Sequence, residues 1–119
     1  MTQSENRPWG SWHVLDEADG FKVKRIEVSP GSRLSLQRHE LRAEHWFVVA
    51  GTATCTVGDE TVMLGPGEAT DIAIGQAHRI ANQGDEILVI IEVQRGTYTG
   101  EDDIVRLEDD FGRADLTHS

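Results

Sequence analysis

The chain has 119 residues, the length of one domain and too short for two. Its formal net charge of −10 opposes binding to nucleic acid or to an anionic membrane. A single cysteine, Cys55, rules out a disulfide within the chain, and no apolar run reaches the roughly 18 residues that a membrane span needs. The first ten residues also lack the apolar core of a signal peptide, so we expect a cytoplasmic protein.

Short β-branched runs, separated by glycine, proline and acidic turns, predict an all-β domain. In chain order the predicted strands are Ser11–Leu15, Phe21–Val28, Arg33–His39, Ala43–Ala50, Ala53–Val57, Glu60–Leu64, Glu68–Ile72, His78–Asn82 and Ile87–Arg95. Residues 102–112 are expected to add a short helix or strand that closes the fold. The domain is predicted to span residues 7–113, with flexible ends at 1–6 and 114–119. Many short strands at this spacing are typical of a sandwich or a barrel.

The stretch LQRHELRAEHW, residues 36–46, concentrates donor groups on two neighbouring predicted strands. Gln37 and His39 are two residues apart and therefore share one face of a strand. If the hairpin turns at residues 40–42, Glu44 on the next strand converges with them. Amide, imidazole and carboxylate groups together bind divalent metals such as zinc. The alternative is a metal-free barrel in which these polar side chains are merely hydrogen-bonded.

A second motif lies at residues 67–82, GEATDIAIGQAHRIAN, and supplies a further histidine, His78. Its spacing of Gly67, Ala73, Gly75, His78 and Asn82 resembles the second motif of the cupin superfamily, with alanine in place of a proline. Gly31, Glu44 and Gly51 stand at the positions of the first cupin motif. The resemblance implies a single-domain cupin fold, the double-stranded β-helix or jelly-roll barrel.

Longer segments resemble one branch of that superfamily, the type II mannose-6-phosphate isomerases. They are RPWGSWHVL, FKVKRIEVSPGSRLSLQ, RAEHWFVVAGTA and GTYTGEDDIVRLEDDFGR, which together cover nearly all of residues 7–113. Cupins usually have His-x-His before the glutamate, whereas Gln37-x-His39 is the isomerase pattern. The resemblance implies a metal site formed by Gln37, His39, Glu44 and His78. Family members often carry histidines at the positions of Glu40 and Leu41, so a ligand that stood there is absent from this chain.

The resemblance implies a metal-dependent sugar-phosphate isomerase that interconverts mannose-6-phosphate and fructose-6-phosphate. The ligand types fit Zn best, with Mn, Fe, Co or Ni as alternatives. Two other functions stay open: a non-catalytic metal- or sugar-binding cupin module, and another cupin enzyme such as an iron oxygenase. In relatives this domain is commonly fused to a guanylyltransferase, and the sequence does not say whether this chain works with a separate one.

Isomerisation needs a proton carrier and cations that hold a phosphate. Strand alternation places Lys24 on the face of Ile26 and Val28, so Lys24 is a candidate for substrate binding and catalysis if that face is inward. Arg33, on the face of Gln37, is a second candidate for substrate binding. Glu92 is a candidate base, although alternation alone does not say which face of its strand is inward.

The same alternation points several side chains away from the pocket. Arg79 follows His78 and is expected to face outward, as is His45, which follows Glu44. Leu34 and Leu36 are expected to face outward too, where they would need a partner. We therefore predict a homodimer, the usual state of cupins of this size. Trp46 is expected to pack in the core rather than against a sugar.

Overall fold

The computed structural model describes residues 3–111, and within them eleven strands form two antiparallel sheets. No helix in that range is long and apolar enough to cross a membrane. The strands are β1 (Ser4–Arg7), β2 (Gly10–Ala18), β3 (Phe21–Val28), β4 (Leu36–Arg38), β5 (Arg42–Ala50), β6 (Ala53–Val57), β7 (Glu60–Leu64), β8 (Ala69–Ile72), β9 (His78–Ala81), β10 (Leu88–Gly96) and β11 (Val105–Glu108).

The larger sheet has six strands in the order β1-β2-β3-β10-β5-β8, and the smaller has five in the order β11-β4-β9-β6-β7. Strands β3 and β10 follow the two-residue alternation of a sheet with one covered face. The buried set on β3 is Lys22, Lys24, Ile26 and Val28. This is the face that the sequence predicted Lys24 to share with Ile26 and Val28.

The hydrophobic core lies between the two sheets at one end of the barrel. Val28, Val48 and Ile90 from the larger sheet are fully or almost fully buried, as are Cys55 and Ile80 from the smaller. Each such aliphatic side chain stabilises the fold by about 1.5–3 kcal/mol. Burial also raises the pKa of the Cys55 thiol to about 11, so this residue behaves as a small apolar side chain.

The predicted strand at residues 33–39 is wrong in its first half. Only residues 36–38 form regular strand, preceded by an isolated bridge between Arg33 and Ala81. The Leu34 carbonyl accepts a hydrogen bond from the Arg79 side chain at 2.9 Å instead of continuing the ladder. Alternation therefore fails here, and Leu34 is buried in the core rather than facing outward. Leu36 is only partly buried, so half of the sequence-based reason for expecting a partner is lost and the homodimer stays a prediction.

At the ends of the described chain, one edge strand was not predicted and the other was predicted as either a helix or a strand. Residues 4–7 form β1 and pair with β2, so regular structure begins before the predicted domain boundary at residue 7. Residues 105–108 form β11, which closes one edge of the smaller sheet beside β4. The expected closing element is thus a strand. Flexible ends were predicted at residues 1–6 and 114–119: residues 4–6 are instead part of β1, and residues 1–2 and 114–119 lie outside the described residues.

Candidate metal centre

Three side chains on three different elements meet between the sheets. His39 directly follows β4, Glu44 lies on β5 and His78 begins β9. All three are buried, and one donor atom from each lies within 4.8 Å of the other two. The predicted hairpin at residues 40–42 is wrong, because β4 and β5 lie in different sheets and the residues between them connect one sheet to the other. This connection nevertheless brings His39 and Glu44 next to the distant His78.

The two imidazoles are oriented by main-chain carbonyl groups. His39 Nδ1 lies 2.6 Å from the Asp103 carbonyl oxygen, and His78 Nδ1 lies 2.9 Å from the Gln76 carbonyl oxygen. A carbonyl oxygen only accepts, so in both rings Nδ1 must carry the hydrogen. Each Nε2 atom then carries a lone pair, as in metal-binding histidines.

Both Nε2 atoms face the carboxylate of Glu44. The distances are 3.1 Å from His39 to Oε2 and 3.7 Å from His78 to Oε1. Burial opposes ionisation of Glu44, but its contacts with His39, His78 and Arg42 outweigh burial and hold its pKa well below the ordinary value. Burial also lowers the pKa of His78, which favours the neutral, ligand form of the ring.

A divalent cation fits this donor set. Lone pairs of two neutral imidazoles and an ionised carboxylate converge in a buried space, an arrangement that needs a positive charge among them. Here Arg42 supplies one: its Nε donates to Glu44 Oε2 at 2.9 Å, and its Nη2 donates to His39 Nε2 at 3.1 Å. Imidazole and carboxylate ligands suit Zn and the neighbouring transition metals.

Gln37, the predicted fourth ligand, is placed on the same side. It pairs with His78 across β4 and β9 and lines the same cavity as the three ligands. Its amide nitrogen donates a long hydrogen bond of 3.5 Å to the Ser35 carbonyl oxygen. This orientation leaves the amide oxygen of Gln37 as its available metal donor.

A second carboxyl group, that of Glu92, lies beside the first. The indole Nε1 of Trp46 donates to Glu44 Oε1 at 2.9 Å and to Glu92 Oε1 at 3.1 Å. Gln94 donates to the other oxygen of Glu92 at 2.7 Å. Burial, followed by the negative charge of Glu44, raises the pKa of Glu92 to about 7. The face of β10 that the sequence left open is therefore settled: Glu92 and Gln94 point inward.

Lys24 also lines the cavity, adjacent in register to Glu92. Its ammonium group lies 4.1 Å from the ring centroid of Trp12 and 2.6 Å from a carboxylate oxygen of Glu101. Lys22 lies 3.3 Å from the same oxygen. Burial opposes ionisation of Glu101, but Lys24 and Lys22 outweigh it and lower its pKa.

Two arginines are not where alternation put them. Arg33 is partly exposed and forms a two-point ion pair with Asp110, at 2.7 and 2.8 Å, rather than lining the cavity. Arg79, expected to face outward, is buried and contributes to the cavity lining while it binds Glu108 at 2.7 Å. Both differences arise because residues 33–35 leave the regular ladder and β11 packs beside them.

Several cavity residues escaped the sequence reasoning, Arg42 and Arg106 among them. Arg42 lies two residues before Glu44 on β5, so alternation alone could have placed it on the ligand face. Arg106 pairs with Gln37, which in turn pairs with His78, so all three lie in one row across the smaller sheet. Strands are spaced about 5 Å apart, which puts Arg106 about 10 Å from His78 along that row. Only the family-specific segment around Arg106 hinted at it.

The departures from the family pattern lie outside the cavity. Glu40 and Leu41 are exposed in the turn between β4 and β5, and Glu40 binds Arg38 at 2.9 Å. Histidines at these two positions would therefore lie in the exposed turn and not on the inner face of a strand. His45 points away from the cavity as predicted and forms a 2.7 Å contact with Asp71.

A barrel of two antiparallel sheets with ligands on its inner faces is the architecture of the cupins, the double-stranded β-helix class. A solved Klebsiella pneumoniae protein with a double-stranded β-helix domain superposes with a TM-score of 0.70 at 23% identity, covering 81% of this chain and 77% of that one. The family model described as mannose-6-phosphate isomerase C-terminal matches residues 1–109. The chain therefore belongs to the mannose-6-phosphate isomerase C-terminal family.

Two curated relatives have names that refer to polysaccharide synthesis. The xanthan biosynthesis protein XanB of Xanthomonas campestris is 54% identical over 107 residues, which are 90% of this chain and 23% of XanB. The alginate biosynthesis protein AlgA of Pseudomonas aeruginosa is 56% identical over 107 residues, which are 90% of this chain and 22% of AlgA. The chain thus spans about a quarter of the length of these relatives.

Proposed function

We propose that the chain is a metal-dependent sugar-phosphate isomerase that interconverts mannose-6-phosphate and fructose-6-phosphate. The observation that carries the proposal is the convergence of His39, Glu44 and His78, with Glu92 alongside, in a member of this family. We propose Zn as the metal, held by these three residues and Gln37, with Mn, Fe, Co or Ni as alternatives. When bound, the ion would stabilise negative charge that develops on the sugar oxygens.

The proton transfer is assigned to Glu92. In the aldose-to-ketose direction a proton leaves C2 and is returned at C1, while a hydroxyl proton moves from O2 to O1. A group with a pKa near 7 suits both removing and returning the proton, and such catalysis contributes about 10²–10⁴-fold. Trp46 and Gln94 hold the two oxygens of Glu92, which keeps the carboxyl group in place between these steps.

The phosphate is assigned to the cations of the cavity. Lys24 stands next to Glu92 in register and keeps its predicted roles in substrate binding and catalysis. Arg33 lies outside the cavity lining, so Arg106 replaces it in the proposal. Arg106 is separated from His78 by about 10 Å, two strand spacings, so a sugar could lie between the phosphate and the metal. Guanidinium groups suit phosphate because their N–H groups match its oxygens.

The test is isomerisation of mannose-6-phosphate by the purified chain, with added Zn²⁺ or Mn²⁺ and with EDTA. We expect metal-dependent formation of fructose-6-phosphate, abolished in His78→Ala and reduced about 10²–10⁴-fold in kcat in Glu92→Gln. His45→Ala is the matched control, since His45 lies outside the cavity. Stoichiometric metal binding without turnover would contradict the proposal.

A second candidate is a metal- or sugar-binding module without turnover. It is favoured by one observation, that Glu40 and Leu41 occupy the turn after His39, where family members often carry histidines. Such a module would bind mannose-6-phosphate in calorimetry and produce no fructose-6-phosphate. A guanylyltransferase supplied as a separate chain is the partner to test in that case.

We also propose that the protein is cytoplasmic. Phosphorylated sugars are made and used in the cytoplasm, which is also where a lone thiol such as Cys55 stays reduced.

We propose a homodimer in which the outer face of the larger sheet is covered. Phe47 and Val49 are exposed there on β5, and Ile91 on β10 pairs with Phe47.

A further inference from the structure

The connection between β10 and β11 runs along the site and contacts two of its cations, Lys24 and Arg42. We call residues 99–103 the crossing segment. Two of its carbonyl oxygens accept hydrogen bonds from inward cations, Thr99 from Lys22 at 2.7 Å and Gly100 from Arg42 at 3.4 Å. The Glu101 carboxylate binds Lys24 at 2.6 Å. The segment therefore belongs to the wall of the site and not only to the surface.

Asp103 ends this segment and contacts the connection between β4 and β5 with both its main chain and its side chain. Its carbonyl oxygen accepts from His39 Nδ1 at 2.6 Å. Its two carboxylate oxygens accept from the main-chain N–H groups of Glu40 and Leu41, each at 3.0 Å. These N–H groups directly follow His39 in the turn to β5, so the carboxylate fixes the turn while the carbonyl fixes the ring.

We propose that Asp103 is the positioning residue that sets the tautomer and orientation of His39. The proposal rests on the metal centre of the proposed function. Because the Asp103 carbonyl only accepts, it keeps the hydrogen on Nδ1 and leaves Nε2 of His39 to bind the metal. The carboxylate prevents the carbonyl from drifting, because it ties Asp103 to the two residues that follow His39.

The chemistry of the contact explains the choice of aspartate. Two main-chain donors need two acceptors, which a carboxylate has and an amide lacks. In Asp103→Asn the NH₂ group would face an N–H group, so one hydrogen bond would be lost and replaced by a repulsive contact. The donors are main-chain groups, so Glu40 and Leu41 can replace histidines at these positions without loss of this function.

His78 provides an internal reference. Its Nδ1 hydrogen bond goes to the Gln76 carbonyl oxygen, which precedes β9, whereas the hydrogen bonds of Asp103 go to residues 39–41. A change at Asp103 that acts through His39 should therefore leave the tautomer of His78 unchanged. A general loss of structure would alter both rings.

The test is a long-range ¹H–¹⁵N correlation spectrum of histidine side chains in the metal-free chain at about pH 8, above the ordinary pKa of histidine. In the wild type we expect His39 and His78 with the hydrogen on Nδ1. In Asp103→Ala we expect a mixture of tautomers at His39 alone, and a Zn²⁺ affinity lowered about 10–100-fold. Asp103→Asn should produce a smaller change of the same kind, and serves if the alanine variant does not fold.

Asp102→Ala is the matched control, because Asp102 is the exposed neighbour and binds Tyr98 instead of the turn between β4 and β5. It should leave both the His39 tautomer and the Zn²⁺ affinity unchanged. The inference is overturned if His39 carries its hydrogen on Nε2 in the wild type, or if the folded Asp103 variants keep the wild-type tautomer and affinity. Neither result depends on turnover, so an inactive chain would contradict the isomerase proposal and leave this one standing.

Discussion

The rings of His39 and His78 lie 4.8 Å apart between centroids, tilted by 45°, and each is tied at Nδ1 to a carbonyl oxygen. They come from the two sequence motifs and meet with Glu44 between them. The donor atoms of the three residues lie close enough together to hold one metal ion. This relationship motivates the first prediction.

His78→Ala should lower the affinity for Zn²⁺ by more than the roughly 10–100-fold that loss of a second-sphere partner costs, because it removes a ligand itself. The measurement is competition titration with a chelator of known affinity. His45→Ala, which removes an exposed histidine, should bind Zn²⁺ like the wild type. Equal losses in both variants would mean that Zn²⁺ binds elsewhere on the surface.

Arg106→Met should raise KM for mannose-6-phosphate at least tenfold, because the substitution keeps an unbranched stem and removes the cation assigned to the phosphate. Arg33→Met is the matched control: Arg33 lies outside the cavity lining, paired with Asp110. Comparing KM for the two variants in steady-state kinetics shows which arginine binds the phosphate. An increase in KM for Arg33→Met alone would restore the sequence-based assignment.

Glu101→Gln should destabilise the fold by about 1–3 kcal/mol at neutral pH, less than a fully buried pair because Glu101 is partly exposed. Its side chain is 35% exposed, whereas that of Lys24 is 5% exposed. The pKa of Glu101 is lowered in the folded state, so the ionised form stabilises the protein above the ordinary value of 4.5. That contribution is lost as pH falls through the lowered pKa.

The difference in Tm between wild type and Glu101→Gln should therefore be largest near neutral pH and shrink in acid below about pH 4.5. Thermal denaturation over a pH series measures it. Glu60→Gln, an exposed change on β7, should show little difference at any pH. A Glu101→Gln difference that grows in acid would mean that the Lys24 contact does not govern the stability of this segment.

The chain should elute with the mass of a dimer in light-scattering chromatography, and Phe47→Glu should shift it toward the monomer. Phe47 is 40% exposed on the outer face of the larger sheet, and a charge there would be buried on association. Met63→Glu, at a 66% exposed site on β7 in the smaller sheet, should leave the mass unchanged. A wild-type monomer at all concentrations would contradict the homodimer proposal.

The elements with a clear two-residue period were predictable from sequence. Three strands, Phe21–Val28, Ala53–Val57 and Glu60–Leu64, have the predicted bounds. The inward direction of Lys24 follows from its alternation with Ile26 and Val28. The cluster of His39, Glu44 and His78 was also predicted, because the spacing of the two motifs resembles that of a family in which these positions meet.

The misses share a physical origin, since each depends on contacts between residues far apart in sequence. Arg33 departs from its predicted direction because Asp110, 77 residues away, binds it. The inward face of β10 was undecided because its outer face is also apolar, with Val89, Ile91 and Val93. No local pattern distinguishes a core face from an apolar outer face.

Trp46 is an intrinsic fluorophore within the site. Its indole N–H is shared between the carboxylates of Glu44 and Glu92, and its ring meets His78 edge-on at 5.4 Å. Any cation that draws Glu44 away from the indole must change the hydrogen bonding of a buried fluorophore. Emission from Trp46, isolated by replacing Trp9 and Trp12 with phenylalanine, would report occupancy of the site without label or substrate.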